Sequence, residues 1–211
     1  IGKNAQGKTN ILESIYFLSD LKSPRTSTVF DLIKFNKEKF EINAEVEKNN
    51  TDIELDFSYD SEKKREIKIN KVKSRVKDFK SVVKTVLFST KDLLLLRGTP
   101  QDRRDWLDRA ISQIYPAYDE RLSKYDKIRV QKNNLLKNEF VDEALYDIYN
   151  EQMVITGANI IFLRKKFLRE IQKIASLKHK IISDTEDFGL NYTCPGDEIE
   201  EICEHLKQEL Q

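Results

Sequence analysis

The chain opens Ile1-Gly2-Lys3-Asn4-Ala5-Gln6-Gly7-Lys8-Thr9, and Gly2 through Thr9 satisfy the spacing G-x-x-x-x-G-K-[ST]. The chemistry open to such a spacing is phosphate binding. Gly2 and Gly7 permit a tight loop, and the backbone N–H groups of Lys3, Asn4, Ala5 and Gln6 can then converge on phosphate oxygens. Lys8 would neutralise the β- and γ-phosphates of ATP, and Thr9 would hold Mg2+ through its hydroxyl. The loop must sit at the positive end of a helix. Ile11, Leu12, Ile15 and Tyr16 recur at 3.6-residue spacing and predict that helix, with these four on its buried face. A strand normally feeds such a loop, yet only Ile1 precedes Gly2 and no initiating Met is present. The first strand is therefore expected to lie outside this sequence.

The charge pattern supplies a second candidate chemistry. The formal net charge is only +1, from 37 Lys and Arg against 36 Asp and Glu. From Ser61 to Lys84, however, ten bases stand against three acids, and from Asp184 to Gln211 nine acids stand against Lys207. In the basic block, Ile67, Ile69, Val72 and Val76 can pack while Lys68, Lys71, Lys73, Arg75 and Lys77 project outward. A stripe of that kind meets the phosphates of DNA without reading bases. The other reading is a solubilising face.

Composition narrows the class. Charged residues make up 35% and hydrophobic residues 39% of the 211, as in a helix-rich protein with modest cores. No apolar run approaches the ~18 residues of a membrane span, and no signal peptide is visible. Cys194 and Cys203 are too few for a disulfide framework and point to a reducing, cytoplasmic setting. Cys203 and His205 lack a second ligand pair for zinc. Cys203 instead joins Ile199, Ile202, Leu206 and Leu210 on one helical face.

The elements that must position these residues follow from periodicity. Phe40 to Glu47, Asp52 to Tyr59 and Glu66 to Asn70 alternate apolar and polar, as half-buried antiparallel strands do, with hairpin connections at KNNT and DSEKK. Val82 to Phe88 reads as a more buried strand. Thr99-Pro100-Gln101-Asp102 is a helix start, followed by a stripe of Trp106, Leu107, Ala110, Ile111 and Ile114. Pro116 restarts a helix bearing Tyr118, Leu122 and Tyr125, and a third runs from about Val141 to Ala175 with Gly157 as a weak point. The predicted fold class is α+β: a P-loop lobe over 1–98 with a small antiparallel sheet, a helical arm over 99–185 inserted into it, and the start of a return segment over 186–211.

The blocks GKNAQGKTNILESIYFLSDLKSPRT, DLIKF, VLFSTKDLLLLRGTPQDRRDWLDRAISQIYPAYDERLSKYDKIRVQKNNLLK and EQMVITGANIIFLRKKFL occur in that order from Gly2 to about Leu168. Together they resemble the RecF family of DNA replication and repair proteins, ABC-type ATPases related to SMC proteins. The resemblance implies binding of ATP with Mg2+ and of DNA (single-stranded, double-stranded or junction), and an ATP-dependent homodimer. It also implies action with RecO and RecR in loading RecA at gapped DNA, in the cytoplasm at the nucleoid. It places Gly2 to Thr9 in the phosphate loop and Arg25 where related ATPases reach the γ-phosphate. Arg103 and Arg104 lie in a family-like block but equally suit surface or ion-pair roles.

Two family motifs are not found within the 211 residues. Arg97, not Asp-Glu, follows the apolar run Leu93 to Leu96, and no LSGGQ-like signature occurs. No glutamine stands in Phe88 to Asp92 to contact Mg2+. The parent protein is expected to be a weak DNA-dependent ATPase whose catalytic carboxylate lies beyond this piece. Another SMC-like ABC-type ATPase would need a long heptad insertion. A P-loop small-molecule kinase would leave the basic block unexplained.

Overall fold

The computed structural model describes residues 3, 6–95, 97–183 and 186–210. The chain forms two compact units, Ile1–Arg103 and Arg104–Gln211.

The first unit is built on helix α1 (Lys8–Asp20) and four strands, β1 (Lys39–Lys48), β2 (Thr51–Asp60), β3 (Arg65–Ile69) and β4 (Val72–Lys73). They form one antiparallel sheet in sequence order. The register follows from the turns. Asn49 and Asn50 both take positive φ (52° and 60°), as do Asn70 and Lys71 (51° and 65°), so both two-residue connections match the right-handed twist of their strands. One face of the sheet carries Ile42, Leu55, Phe57 and Ile67. Phe17 and Leu18 of α1 and its C-cap Leu21 pack there with Phe79 of the short helix α2 (Val76–Lys80). Phe17 meets Phe57 edge-on, with ring centroids 4.8 Å apart. Asp20, buried at the end of α1, pairs with Lys80 at 3.0 Å.

Two expectations fail in this unit. Of the four apolar residues predicted to face the core from α1, only Tyr16 is buried, and Ile11, Leu12 and Ile15 are exposed. The small sheet reaches only the last turns of the helix. Val82 to Phe88 is not a strand. Val82 and Val83 pack on the core, but no sheet edge pairs with the segment, and Val86 and Phe88 are exposed. Lys48 holds its start by donating to the carbonyls of Ser81 and Val82.

The second unit is helical: most of α3 (Pro100–Ile114), then α4 (Tyr118–Leu135), the 40-residue α5 (Glu143–Ile182) and α6 (Ile199–Leu210). Thr99 opens α3 as expected, its hydroxyl and N–H both donating to Asp102. These bonds hold the Asp102 carboxyl below the usual range, the Thr99 hydroxyl contributing most. The core joins Leu107, Ile111, Tyr118, Ile160, Phe167 and Leu168; Ile114 is exposed.

Gly157 is not a weak point but a notch. A Cβ there would lie 3.3 Å from Tyr125 Cε2 of α4 and 3.4 Å from Leu206 Cδ1 of α6, so glycine lets both neighbours close on α5. Ile202 is fully buried. The approach to α6 is held by Lys165, whose ammonium donates to the carbonyls of Cys194 and Gly196.

Candidate nucleotide loop and basic surface

The start of α1 has the features a phosphate requires. Gly7 caps it with φ +78°, a left-handed conformation that glycine adopts freely. No side chain caps the helix and no acid stands in its first turn. The first helical bond runs from Ile11 N–H to the Gly7 carbonyl, so the amides before Ile11 have no acceptor within the helix. Positive amide dipoles without a competing carboxylate fit an anion. Lys8 and Thr9 are exposed beside them, and the Lys8 ammonium folds back to donate to the Lys3 carbonyl. Gln6 is also exposed; Gly2, Asn4 and Ala5 lie outside the described residues.

Arg25 is brought to the same end of α1. Its guanidinium donates to Asn10 Oδ1 at 3.1 Å and to Glu13 Oε2 at 3.0 Å. Ser23 Oγ donates to the other oxygen of Glu13. Glu13 is largely covered, while the Arg25 side chain remains more than half exposed. Glu13 and Asn10 were missed from sequence. The available signal was helical spacing, since Thr9 and Glu13 are four residues apart and share a face.

The basic stripe divides on inspection. Lys68 pairs with Glu66 at 3.1 Å, Lys71 with Glu54 at 2.8 Å and Asp56 at 3.4 Å, and Arg75 with Asp78 at 2.8 Å. The bond to Glu54 leads in raising the Lys71 pKa, and the bond from Asn43, ahead of Lys71, leads in lowering that of Asp56. Lys73 and Lys77 are exposed, with no ion pair to a described residue. Ile67, Ile69 and Val76 pack as expected, but Val72 is exposed at the start of β4.

Asp78 comes from α2, and the other acids come from the sheet itself. The outward face sets Glu45 opposite Glu54 and Glu47 opposite Asp52, like-charge pairs that repel. The lysines of β3 and its turn lie next to this face, and a hollow of about 270 Å³ there is walled by Glu41, Asp56, Glu66, Lys68 and Lys71. Glu66 and Asp78 lie within the block in sequence, whereas Glu54 and Asp56 stand on the neighbouring strand and only strand pairing brings them beside it.

No family model matches the chain. It is 38% identical over 197 residues to the DNA replication and repair protein RecF of Symbiobacterium thermophilum, covering 92% of this chain and 52% of that relative. Against the protein of the same description from Alkaliphilus oremlandii it is 35% identical over 218 residues, covering 100% and 60%. The chain thus spans about half the length of the curated relatives it matches. A solved structure described as the recombination mediator protein RecF-ATP in the RecFOR pathway aligns with a TM-score of 0.91 at 32% identity, over 98% of this chain and 58% of that one.

The helix-start loop, the small antiparallel sheet and the helical unit define an α+β P-loop ATPase lobe. The length and evenness of the sequence match carry the assignment further. The chain belongs to the RecF family.

Proposed function

We propose that this chain is the ATP- and DNA-binding part of a recombinational repair and replication protein, acting with RecO and RecR to assist RecA loading at gapped DNA. The observation that carries the nucleotide half is the open start of α1. Its amides lack helical acceptors, its cap is a left-handed Gly7, and Lys8 and Thr9 stand beside it. In this reading Lys8 leaves the Lys3 carbonyl to meet the β- and γ-phosphates. Gly2, Lys3, Asn4, Ala5, Gln6 and Gly7 line the phosphates with backbone, and Thr9 ligates Mg2+. Arg25, held by Asn10 and Glu13, is the candidate for the γ-phosphate. A relative described as RecF-ATP supports the choice of nucleotide.

For DNA, the stripe of Lys68, Lys71, Lys73, Arg75 and Lys77 is the candidate phosphate contact. Lys73 and Lys77 are free to bind at once, while the other three exchange an acid for a phosphate. The division of labour is nucleotide and DNA contacts within 1–98, a helical arm over 99–185 and a return segment over 186–211, with a second copy closing over the nucleotide. The setting is the cytoplasm, at the nucleoid; among the described residues no helix is long and apolar enough to cross a membrane.

The test is calorimetric titration of Mg-ATP into the protein and its Lys8→Ala variant. Loss of a charge-assisted phosphate contact is expected to weaken binding by about 1.5–3 kcal/mol. Equal affinity of the two proteins removes the assignment.

A further inference from the structure

The end of the sheet opposite the Lys71 turn carries a second basic cluster, and four of its six cations have no ion pair to a described residue. The loop before β1 is tied to the β2–β3 turn by a hydrogen bond from Ser61 N–H to the Glu38 carbonyl at 2.7 Å, and Lys39 faces Asp60 across the strands. The tie joins the run 34–39 to the run 61–65 at Glu38 and Ser61. Within these runs Lys39 pairs with Glu41 and Lys64 with Glu62. Lys34, Lys37, Lys63 and Arg65 remain exposed, and none of their side chains is paired with a described residue. Glu38 is the one acid of the two runs outside those pairs.

Phe35 belongs to the first of these runs. It is 89% exposed and stands between Lys34 and Lys37 in a turn closed by Lys37 N–H on the Lys34 carbonyl at 2.9 Å, with Asn36 at φ +62°. A lone exposed apolar residue is ordinary. An exposed aromatic ring on a hydrogen-bonded turn that also carries Lys34 and Lys37 is a different arrangement, because it offers a π-face where a polyanion is drawn in. Stacking on a base together with phosphate contacts is how single-stranded nucleic acid is held without sequence preference.

We propose that this end of the sheet binds single-stranded DNA, with Phe35 stacking on an unpaired base and Lys34, Lys37, Lys63 and Arg65 on the flanking phosphates. The proposal rests on the DNA-binding reading above but places a distinct contact. The stripe from Lys68 to Lys77 meets duplex phosphates, and this cluster meets a strand whose bases are free.

The experiment is fluorescence anisotropy across a salt series, with a labelled oligothymidylate and with a blunt duplex, on the wild-type protein, Phe35→Ala, Phe35→Trp and the triple variant Lys34→Ala/Lys37→Ala/Lys63→Ala. Phe35→Ala is expected to weaken oligothymidylate binding about five- to hundredfold, as loss of one base stack does, with an unchanged salt slope. Duplex affinity should not change, and Phe35→Trp should bind the oligothymidylate as wild type does. The triple variant should flatten the single-strand slope by about two, at about 0.7 per phosphate. Wild-type binding to duplex but not to oligothymidylate overturns this site and leaves the DNA reading standing. Phe35→Ala or the triple variant binding the oligothymidylate as wild type does has the same consequence. A wild-type protein that binds neither overturns both.

Discussion

Arg164 of α5 grips Asp108 of α3 through two parallel hydrogen bonds, Nε to Oδ1 at 2.9 Å and Nη2 to Oδ2 at 2.8 Å. Tyr118 donates its hydroxyl to the same carboxylate at 2.6 Å, and the third guanidinium nitrogen reaches the Tyr192 hydroxyl at 3.0 Å. Arg164 is 9% exposed, so a charge and its partners join α3, α4, α5 and the approach to α6 at one point. Removing one side of a buried pair strands the other. Arg164→Ala is expected to destabilise the protein by about 3–5 kcal/mol, while replacing both members with apolar residues of similar volume costs less. Urea unfolding of the single and double variants checks the order, and a double variant weaker than the single would contradict it.

Tyr118 gives a pH dependence. Burial drives its phenol pKa well above the ordinary range; the nearby Arg164 charge opposes this, and the bond to Asp108 adds to the rise. The folded pKa is raised, so the folded state keeps a proton that the unfolded chain releases above about pH 10. The Tyr118 contribution is complete below that pH and is lost as pH rises beyond it. Urea midpoints should therefore fall from about pH 10 upward, and fall less steeply in Tyr118→Phe. Identical slopes in the two proteins would show that this phenol does not carry the effect.

Gly157→Ala sets two effects against each other. Alanine favours the helix by about 1 kcal/mol, but its Cβ would press on Tyr125 and Leu206 at 3.3 and 3.4 Å. Overpacking of this kind costs about 1–3 kcal/mol. The expected net is a loss of up to about 2 kcal/mol, read from the urea midpoint. A more stable variant would mean that α4 and α6 have room to move.

The salt dependence of duplex binding separates the free lysines from the paired ones. Each duplex phosphate neutralised contributes about −0.9 to the log–log slope. Lys73→Ala with Lys77→Ala should flatten the line by about two. Lys68→Ala with Lys71→Ala should change it less, because those ammoniums already hold Glu66, Glu54 and Asp56. Equal flattening by both pairs would mean that the acids release their lysines at no cost.

Local grammar made much of this protein legible in advance. Gly7-Lys8-Thr9 announced a helix start behind a left-handed glycine because a cap and a helix start are properties of adjacent residues. The three main strands and their hairpins followed from alternation and from the breaks at KNNT and DSEKK, and the start of α3 from Thr99, Pro100 and Asp102. Helical spacing also placed Ile202 on the inner side of α6. Tertiary structure decided what depends on distant neighbours. Ile11, Leu12 and Ile15 have the right period to be buried, but burial needs a surface to pack on, and the sheet ends under Phe17. Val82 to Phe88 has the composition of a strand, but a strand exists only where another chain edge accepts its hydrogen bonds. The basic block is one run in sequence, yet antiparallel pairing set Lys71 against Glu54 and Asp56 of β2 and left Lys63 and Arg65, at the other end of the sheet, with no ion pair to a described residue. Charge per residue is written in the sequence; which charges remain unspent is set by the register that brings the strands together.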